Sequence, residues 1–251
     1  MVVSAAGRGR AVDGSLPDVL VVSFPAAAFA TNCYVVAPAT GEECLVVDPG
    51  IGVVEPLDGV LREHRLRPAA VLLTHGHVDH VYSVTPVCGG HGLAAYVHGD
   101  DRYRLVDPLS MLDPMLVAML EQQFGQRATW AEPDDVRTIA DNETLSLAGL
   151  AVTVDHAPGH TEGSVMFRLP GSESAAGAQT CLTGDVLFAG SIGRTDLPGG
   201  DHDLMMRSLA EKVRPLRDDT VVLPGHGPAT TIGRERATNP FLQGLMRTTP
   251  T

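Results

Sequence analysis

Residues 74–80 read Thr74-His75-Gly76-His77-Val78-Asp79-His80 (THGHVDH). Imidazole nitrogens and carboxylate oxygens are suitable ligands for zinc and similar divalent ions. In an irregular loop after a strand, His75 and His77 turn the same way, and Asp79 and His80 point to a second position nearby. One short loop therefore serves two ions. An apolar run at 69–73 leads directly into this loop. Before it, 56–67 reads as a helix: Pro56 suits a first turn, Leu57, Val60, Leu61 and Leu66 keep mostly to one face, and Pro68 ends it. Helix, buried strand and polar cluster in succession mark an α/β layer with its site at strand ends.

Outward from there, apolar runs at 19–24, 31–37 and 42–48, with the turn signal Pro38-Ala39-Thr40-Gly41, read as strands of one sheet with a hairpin. A second set follows at 144–147, 150–156, 164–169, 180–188 and 220–223, with a helix suggested by Leu204, Leu209 and Val213 and capped by Asp203. Two sheets face to face with helices outside accommodate this order in one domain over 18–251. Residues 1–17 are expected to be a frayed, flexible start, and 171–179 (GSESAAGAQ) an exposed loop. Residues 100–140 differ: Met111, Leu112, Met115, Leu116, Met119 and Leu120 lie between Asp-Pro breaks, which reads as a helical insertion, either a lid over the site or an added surface helix.

Composition narrows the function. The 251 residues carry a formal net charge of −12, without the basic footprint of a nucleic-acid binder. No run of about 18 apolar residues exists to cross a membrane, and no signal-peptide core follows Arg8 and Arg10, so the cytoplasm is the expected compartment. The four cysteines, Cys33, Cys44, Cys88 and Cys181, form no CxxC pair, and reduced buried thiols are expected.

Further ligand candidates stand at other strand ends: His160 in APGHTEGS, Asp185 in LTGDVLF and His226 in LPGHG. Asp185 lies in an apolar run, where a carboxylate needs a partner and a metal pair provides one. His64, His91, His98, His156 and His202 read as solvated or structural.

These residues resemble the metallo-β-lactamase superfamily over about 18–240. The stretch LTGDVLFAGSIGRTDLPGGD (182–201) and the ending NPFL (239–242) are similar to the shorter bacterial members of its glyoxalase II group. The resemblance implies an α/β fold, the four-layer αββα sandwich. It also implies two divalent ions, zinc first, with iron or manganese as alternatives. His75, His77 and His160 would hold one ion, Asp79, His80 and His226 the other, and Asp185 would bridge them. Asp48, in VVDPG, would orient a ligand histidine. The eukaryotic enzymes have a C-terminal helical domain that holds glutathione. Here 25 residues follow His226, and such a domain is not expected.

The implied chemistry is hydrolysis of a small-molecule acyl thioester by a hydroxide between the ions, with Asp79 and Asp185 as its catalytic ligands. A leaving thiolate, with a parent pKa near ~8.5, needs no strong general acid. Arg194, in GSIGRTD, would meet a substrate carboxylate or else pair with Asp196 or Asp201. Two other readings compete. One is a persulfide dioxygenase of the same superfamily, with one iron on His75, His160 and Asp185. The other is a metal-stabilised binding module without catalysis.

Overall fold

Along the second strand Cys33, Val35 and Ala37 enter one buried cluster while Tyr34 and Val36 enter another. Side chains on a strand alternate between faces, so a strand buried on both belongs to a sheet covered on both sides. The computed structural model describes residues 19–125, 127–169 and 178–247. The expected flexible start at 1–17 and positions 171–177 of the expected loop lie outside these residues.

One six-stranded sheet has the spatial order β1 (Leu20–Pro25), β2 (Asn32–Ala37), β3 (Glu43–Val47), β4 (Arg67–Leu72), β5 (Ala95–His98), β6 (Val136–Ile139). The other contains β7 (Thr144–Leu147), β8 (Leu150–His156), β9 (Val165–Leu169), β10 (Thr180–Gly184), β11 (Val221–Pro224) and β12 (Thr230–Thr231), ordered β12-β11-β10-β9-β8-β7. The helices are α1 (Val54–His64), α2 (Val78–Val81), α3 (Val84–His91), α4 (Pro114–Phe124), α5 (His202–Ser208), α6 (Ile232–Thr238) and α7 (Pro240–Arg247).

Three buried layers of side chains join these elements. Leu57 and Leu61 of α1 and Val84 and Val87 of α3 pack with Cys33 and Val35 on the outside of the first sheet. Tyr34, Val36 and Leu45 meet Val154, Phe167 and Leu182 between the sheets. Met205 of α5 and Ile232 of α6 cover Met166, Cys181 and Val222 on the outside of the second. The result is the α/β, four-layer αββα sandwich. β3 and β4 run parallel, as do β10 and β11, which puts their carboxyl ends, where such sheets carry their sites, on shared edges. The edges meet: Thr31 bridges to His226, and the Val165 amide donates to the Thr74 carbonyl at 2.8 Å.

The structure corrects four local expectations. Residue Arg65 ends α1 in the left-handed conformation, so Arg67 already lies in β4. The cap of α5 is Asp201, whose carboxylate accepts from the Leu204 amide, not Asp203, which lies in the first turn. The 100–140 segment is not wholly helical: after two 3-10 turns and α4, residues Val136–Ile139 form the edge strand β6. Its pattern, with only Ile139 fully buried, is too weak to betray a strand outside its sheet. The strand expected over 180–188 stops at Gly184, whose φ of +48° turns the chain before Asp185, and a Cβ there would strike the Thr74 side chain.

All four cysteines are buried and free. Burial pushes the Cys44 and Cys88 thiols up to about 12 and raises Cys33 and Cys181 as well. Since the thiolate is the reactive form, a thiol reagent at neutral pH is expected to label none of the four in the native protein and all four in denaturant. Mass spectrometry counts the adducts, and rapid native labelling of any would contradict this burial.

Candidate metal centre

The seven residues singled out as ligands converge at the carboxyl ends of the strands. His75 Nε2 and His77 Nδ1 are 3.1 Å apart, and His77 Nδ1 is 2.8 Å from His160 Nε2. Beside this triad, His226 Nε2 lies 3.3 Å from His80 Nε2 and 3.2 Å from Asp79 Oδ2. Asp185 stands between, with Oδ1 3.4 Å from His80 Nε2 and Oδ2 3.5 Å from His160 Nε2 and 3.6 Å from His226 Nε2. The structure thus groups His75–His77–His160, Asp79–His80–His226 and His75–His80–Asp185 as potential ligand sets.

Local structure fixes this convergence. Asp48 follows β3 with φ +50°, a left-handed conformation that Asp tolerates better than most residues. It accepts from the Thr74 amide at 2.8 Å, the Thr74 hydroxyl at 2.6 Å and His80 Nδ1 at 2.9 Å. Thr31 Oγ1 donates to Asp79 Oδ2 at 2.9 Å. His160 Nδ1 donates to the Arg194 carbonyl at 2.7 Å. Gly225 before His226 has no room for a side chain, because a Cβ would collide with Asp185 Oδ1 and His80.

These partners show that the pocket suits cations. A carbonyl and a carboxylate only accept, so His160 and His80 spend their ring protons outward, on Arg194 and Asp48. In a neutral imidazole the other nitrogen then carries a lone pair, and both Nε2 lone pairs face inward. There His80 Nε2 confronts Asp185 Oδ1, a buried oxygen that accepts no hydrogen bond. Acceptors facing acceptors in a buried pocket require positive charge between them. Burial, with His80 and His160 next to it, holds His75 well below the usual imidazole range, and burial with His160 lowers His77 to about 3, so both stay in the neutral, metal-binding form. Burial pushes the Asp185 carboxyl up against the attraction of His80, His160 and His226. At His80 burial lowers the pKa, yet Asp79, Asp185 and Asp48 together raise it to about 10: without an ion a second ring proton supplies the positive charge these carboxylates require, and a bound cation would take its place.

Above the ligands opens a cavity of about 620 Å³ with mostly apolar walls, among them Phe29, Val78, Leu112, Leu116, Phe188 and Ile192. Met111, Leu112 and Leu116 bring the 109–120 segment to this wall, while Met115 and Met119 point outward and are exposed. Arg194 lines the cavity, but its exposed guanidinium holds Asp196 through two bonds of 2.7 and 2.8 Å. Of the other histidines, His98 and His156 stack at 3.9 Å beside Asp100. Their planes are within 13°, so their lone pairs lie in separate, nearly parallel planes. Sequence reasoning passed over Thr31, Thr74, Asp101 and Arg104, whose polar side chains grip the ligand loops from inside the protein. A polar residue beside a ligand run was the available signal for Thr74, and there was none for the other three.

The fold and this site define a metallo-β-lactamase-type protein. The family model for the metallo-beta-lactamase superfamily matches residues 26–226, and the chain belongs to that family. It is 45% identical to an uncharacterized protein of Mycobacterium tuberculosis, over 91% of this chain and 100% of the relative. It is similar to the probable metallo-hydrolase YqgX of Bacillus subtilis (35%, covering 81% and 89%) and to the hydroxyacylglutathione hydrolase GloC of Haemophilus influenzae (34%, covering 87% and 95%). Among solved structures, the BLEG-1 B3 metallo-beta-lactamase superposes with a TM-score of 0.73 at 36% identity, covering 90% of this chain and 100% of that one. TTHA1623 in a di-iron-bound form gives 0.68 at 34%, covering 87% and 98%. Among the described residues, no helix is long and apolar enough to cross a membrane.

Proposed function

We propose that the chain is a metal-dependent hydrolase of small acyl thioesters, similar in reaction to the glyoxalase II group. His75, His77 and His160 hold one divalent ion, Asp79, His80 and His226 a second, and Asp185 reaches both. Such ions supply water acidified towards a pKa of ~7 and positive charge for the carbonyl oxygen of the substrate. Zinc fits the imidazole-rich set, while the di-iron form of TTHA1623 makes iron the alternative to test.

The observation that carries the choice of substrate is the cavity wall. Besides the ligands, its ionisable residues are Arg104, Asp113 and Arg194. Arginine does not release a proton in proteins, and the Asp113 carboxylate caps α4 by accepting from the Met115 amide. Among the described residues, the wall beyond the ligands therefore offers no general acid for an amine leaving group, and a thiolate needs none. The apolar side chains exclude water and receive the acyl group. His160, fixed by the Arg194 carbonyl, and His80, fixed by Asp48, keep the ligand nitrogens aimed without rearrangement.

The test is steady-state hydrolysis of 2-hydroxyacyl thioesters by zinc-loaded protein, with oxygen uptake on a persulfide by iron-loaded protein in parallel. Thioester hydrolysis with no oxygen uptake is expected. Oxygen consumption with one iron per chain and intact thioesters would establish the dioxygenase instead, and neither activity would favour a binding module. Arg194 must leave Asp196 to meet a substrate, and its exposed charge is screened. Arg194→Ala is therefore expected to lower kcat/KM for a carboxylate-bearing thiol by less than about tenfold and to spare a neutral thioester. Equal losses on both would make the Arg194–Asp196 pair structural.

A further inference from the structure

The triad His75–His77–His160 is assembled from two loops, one following β4 of the first sheet and one following β8 of the second. A single carboxylate ties these loops together. Asp101 lies in the 3-10 turn Gly99–Leu105 after β5 and is fully buried. Its Oδ2 accepts from the Gly76 amide at 2.7 Å and the Thr161 hydroxyl at 2.7 Å. Its Oδ1 accepts from the Gly163 amide at 2.8 Å and from Arg104 Nε at 3.2 Å. Gly76 separates His75 from His77, and Thr161 follows His160, so both loops are held within a residue of their ligands. The contacts leave no slack: a Cβ on Gly163 would strike Asp101, and one on Gly76 would strike Arg104. Arg104, itself buried, balances the charge and is anchored by Glu162 Oε2 at 2.5 Å and the Pro198 carbonyl at 3.0 Å. The hydrogen bonds of Asp101 among the described residues go to neither Asp79, His80, Asp185 nor His226.

We propose that Asp101 is a positioning residue for the His75–His77–His160 triad and not for the Asp79–His80–His226 set. The proposal rests on the two-ion reading of the site and is independent of the substrate. Four donors converge on the carboxylate, so only an acceptor-only side chain satisfies them. An asparagine of the same size turns its amide hydrogens towards two donors and pushes the loops apart.

The two halves are separated by background substitutions in the full chain, stripped of metal and titrated with Zn²⁺ by calorimetry. His226→Ala leaves the triad to report, and His160→Ala leaves the other set. Asp101→Asn is expected to weaken zinc binding about 10–100-fold in the His226→Ala background and less than about threefold in the His160→Ala background, the scale at which partners behind a ligand act. Equal losses in both, or none in the first, overturn the assignment to Asp101. Backgrounds that bind no zinc overturn the two-ion reading and this inference with it. Thr161→Val removes one of the four bonds and is expected to show the same asymmetry with a smaller loss, which keeps the test decisive if Asp101→Asn does not fold.

Discussion

Asp185→Asn is expected to weaken divalent-metal binding by about two to three and a half decades and abolish metal-dependent hydrolysis, while raising the thermal stability of the metal-free protein. The two effects have opposite signs because the same carboxylate plays opposite parts. With ions present, Asp185 is the negative charge nearest both ligand groups, and removing one partner of a buried charge pair costs about 3–5 kcal/mol, or about 1.4 kcal/mol per decade of affinity. Without ions, Asp185 is buried with Oδ1 accepting no hydrogen bond, and burial outweighs the attraction of its histidines. Its charge is then a net cost, which the neutral amide of the same size relieves. Metal content after dialysis measures the first effect, and thermal unfolding in chelator the second. Retained affinity, or a metal-free protein made less stable, would place the functional carboxylate elsewhere.

Asp48 is expected to show the larger folding effect. Asp48→Ala leaves the Thr74 amide, the Thr74 hydroxyl and His80 Nδ1 without their acceptor in a fully buried setting. At about 1–3 kcal/mol for each stranded group, and with part of the loss recovered by relaxation, a destabilisation of about 3–5 kcal/mol follows. That is a fall in Tm of roughly 6–20 °C for a protein of this size. It also forces the left-handed backbone at φ +50° onto alanine. Asp48→Asn keeps the size and tolerates that backbone, so it should unfold only slightly earlier. Yet it no longer fixes the outward proton of His80, and zinc affinity should fall about 10–100-fold. Calorimetric unfolding and zinc titration of the pair separate the two roles. Equal metal affinities for wild type and Asp48→Asn would show that His80 is oriented by packing alone.

The seven candidate ligands, which the structure brings together, were legible because metal chemistry restricts such residues to few types and each stands where an apolar run ends. Most strands were legible for the related reason that doubly buried strands are nearly continuous runs of apolar residues; β5, though fully buried, and the two-residue β12 were too short to be read as strands. β6 was not legible, because an edge strand with only Ile139 fully buried carries little pattern. Nor was the cap at Asp201, since Asp201 and Asp203 offer the same chemistry two residues apart and only the backbone path decides between them. Asp101 and Arg104 lie in the charged run Asp100-Asp101-Arg102-Tyr103-Arg104, which sequence reasoning passed over. Nothing in that run shows that Asp101 and Arg104 turn inward to the ligand loops while Asp100 turns to solvent.

By itself, then, the sequence determined most of the strands and the candidate ligand set, because periodicity and ligand type are local properties of the chain, and its resemblance to a known family gave the layer order. Only the tertiary structure decided which nitrogen of each histidine faces the pocket, that the Arg194 guanidinium is taken up by Asp196, and that one buried carboxylate joins the loops of the two sheets. Those features depend on which hydrogen-bond donors meet which acceptors across 26 to 62 positions of chain, as between Asp48 and Thr74 or Asp101 and Gly163. Such pairings exist only once the sheets have closed on each other.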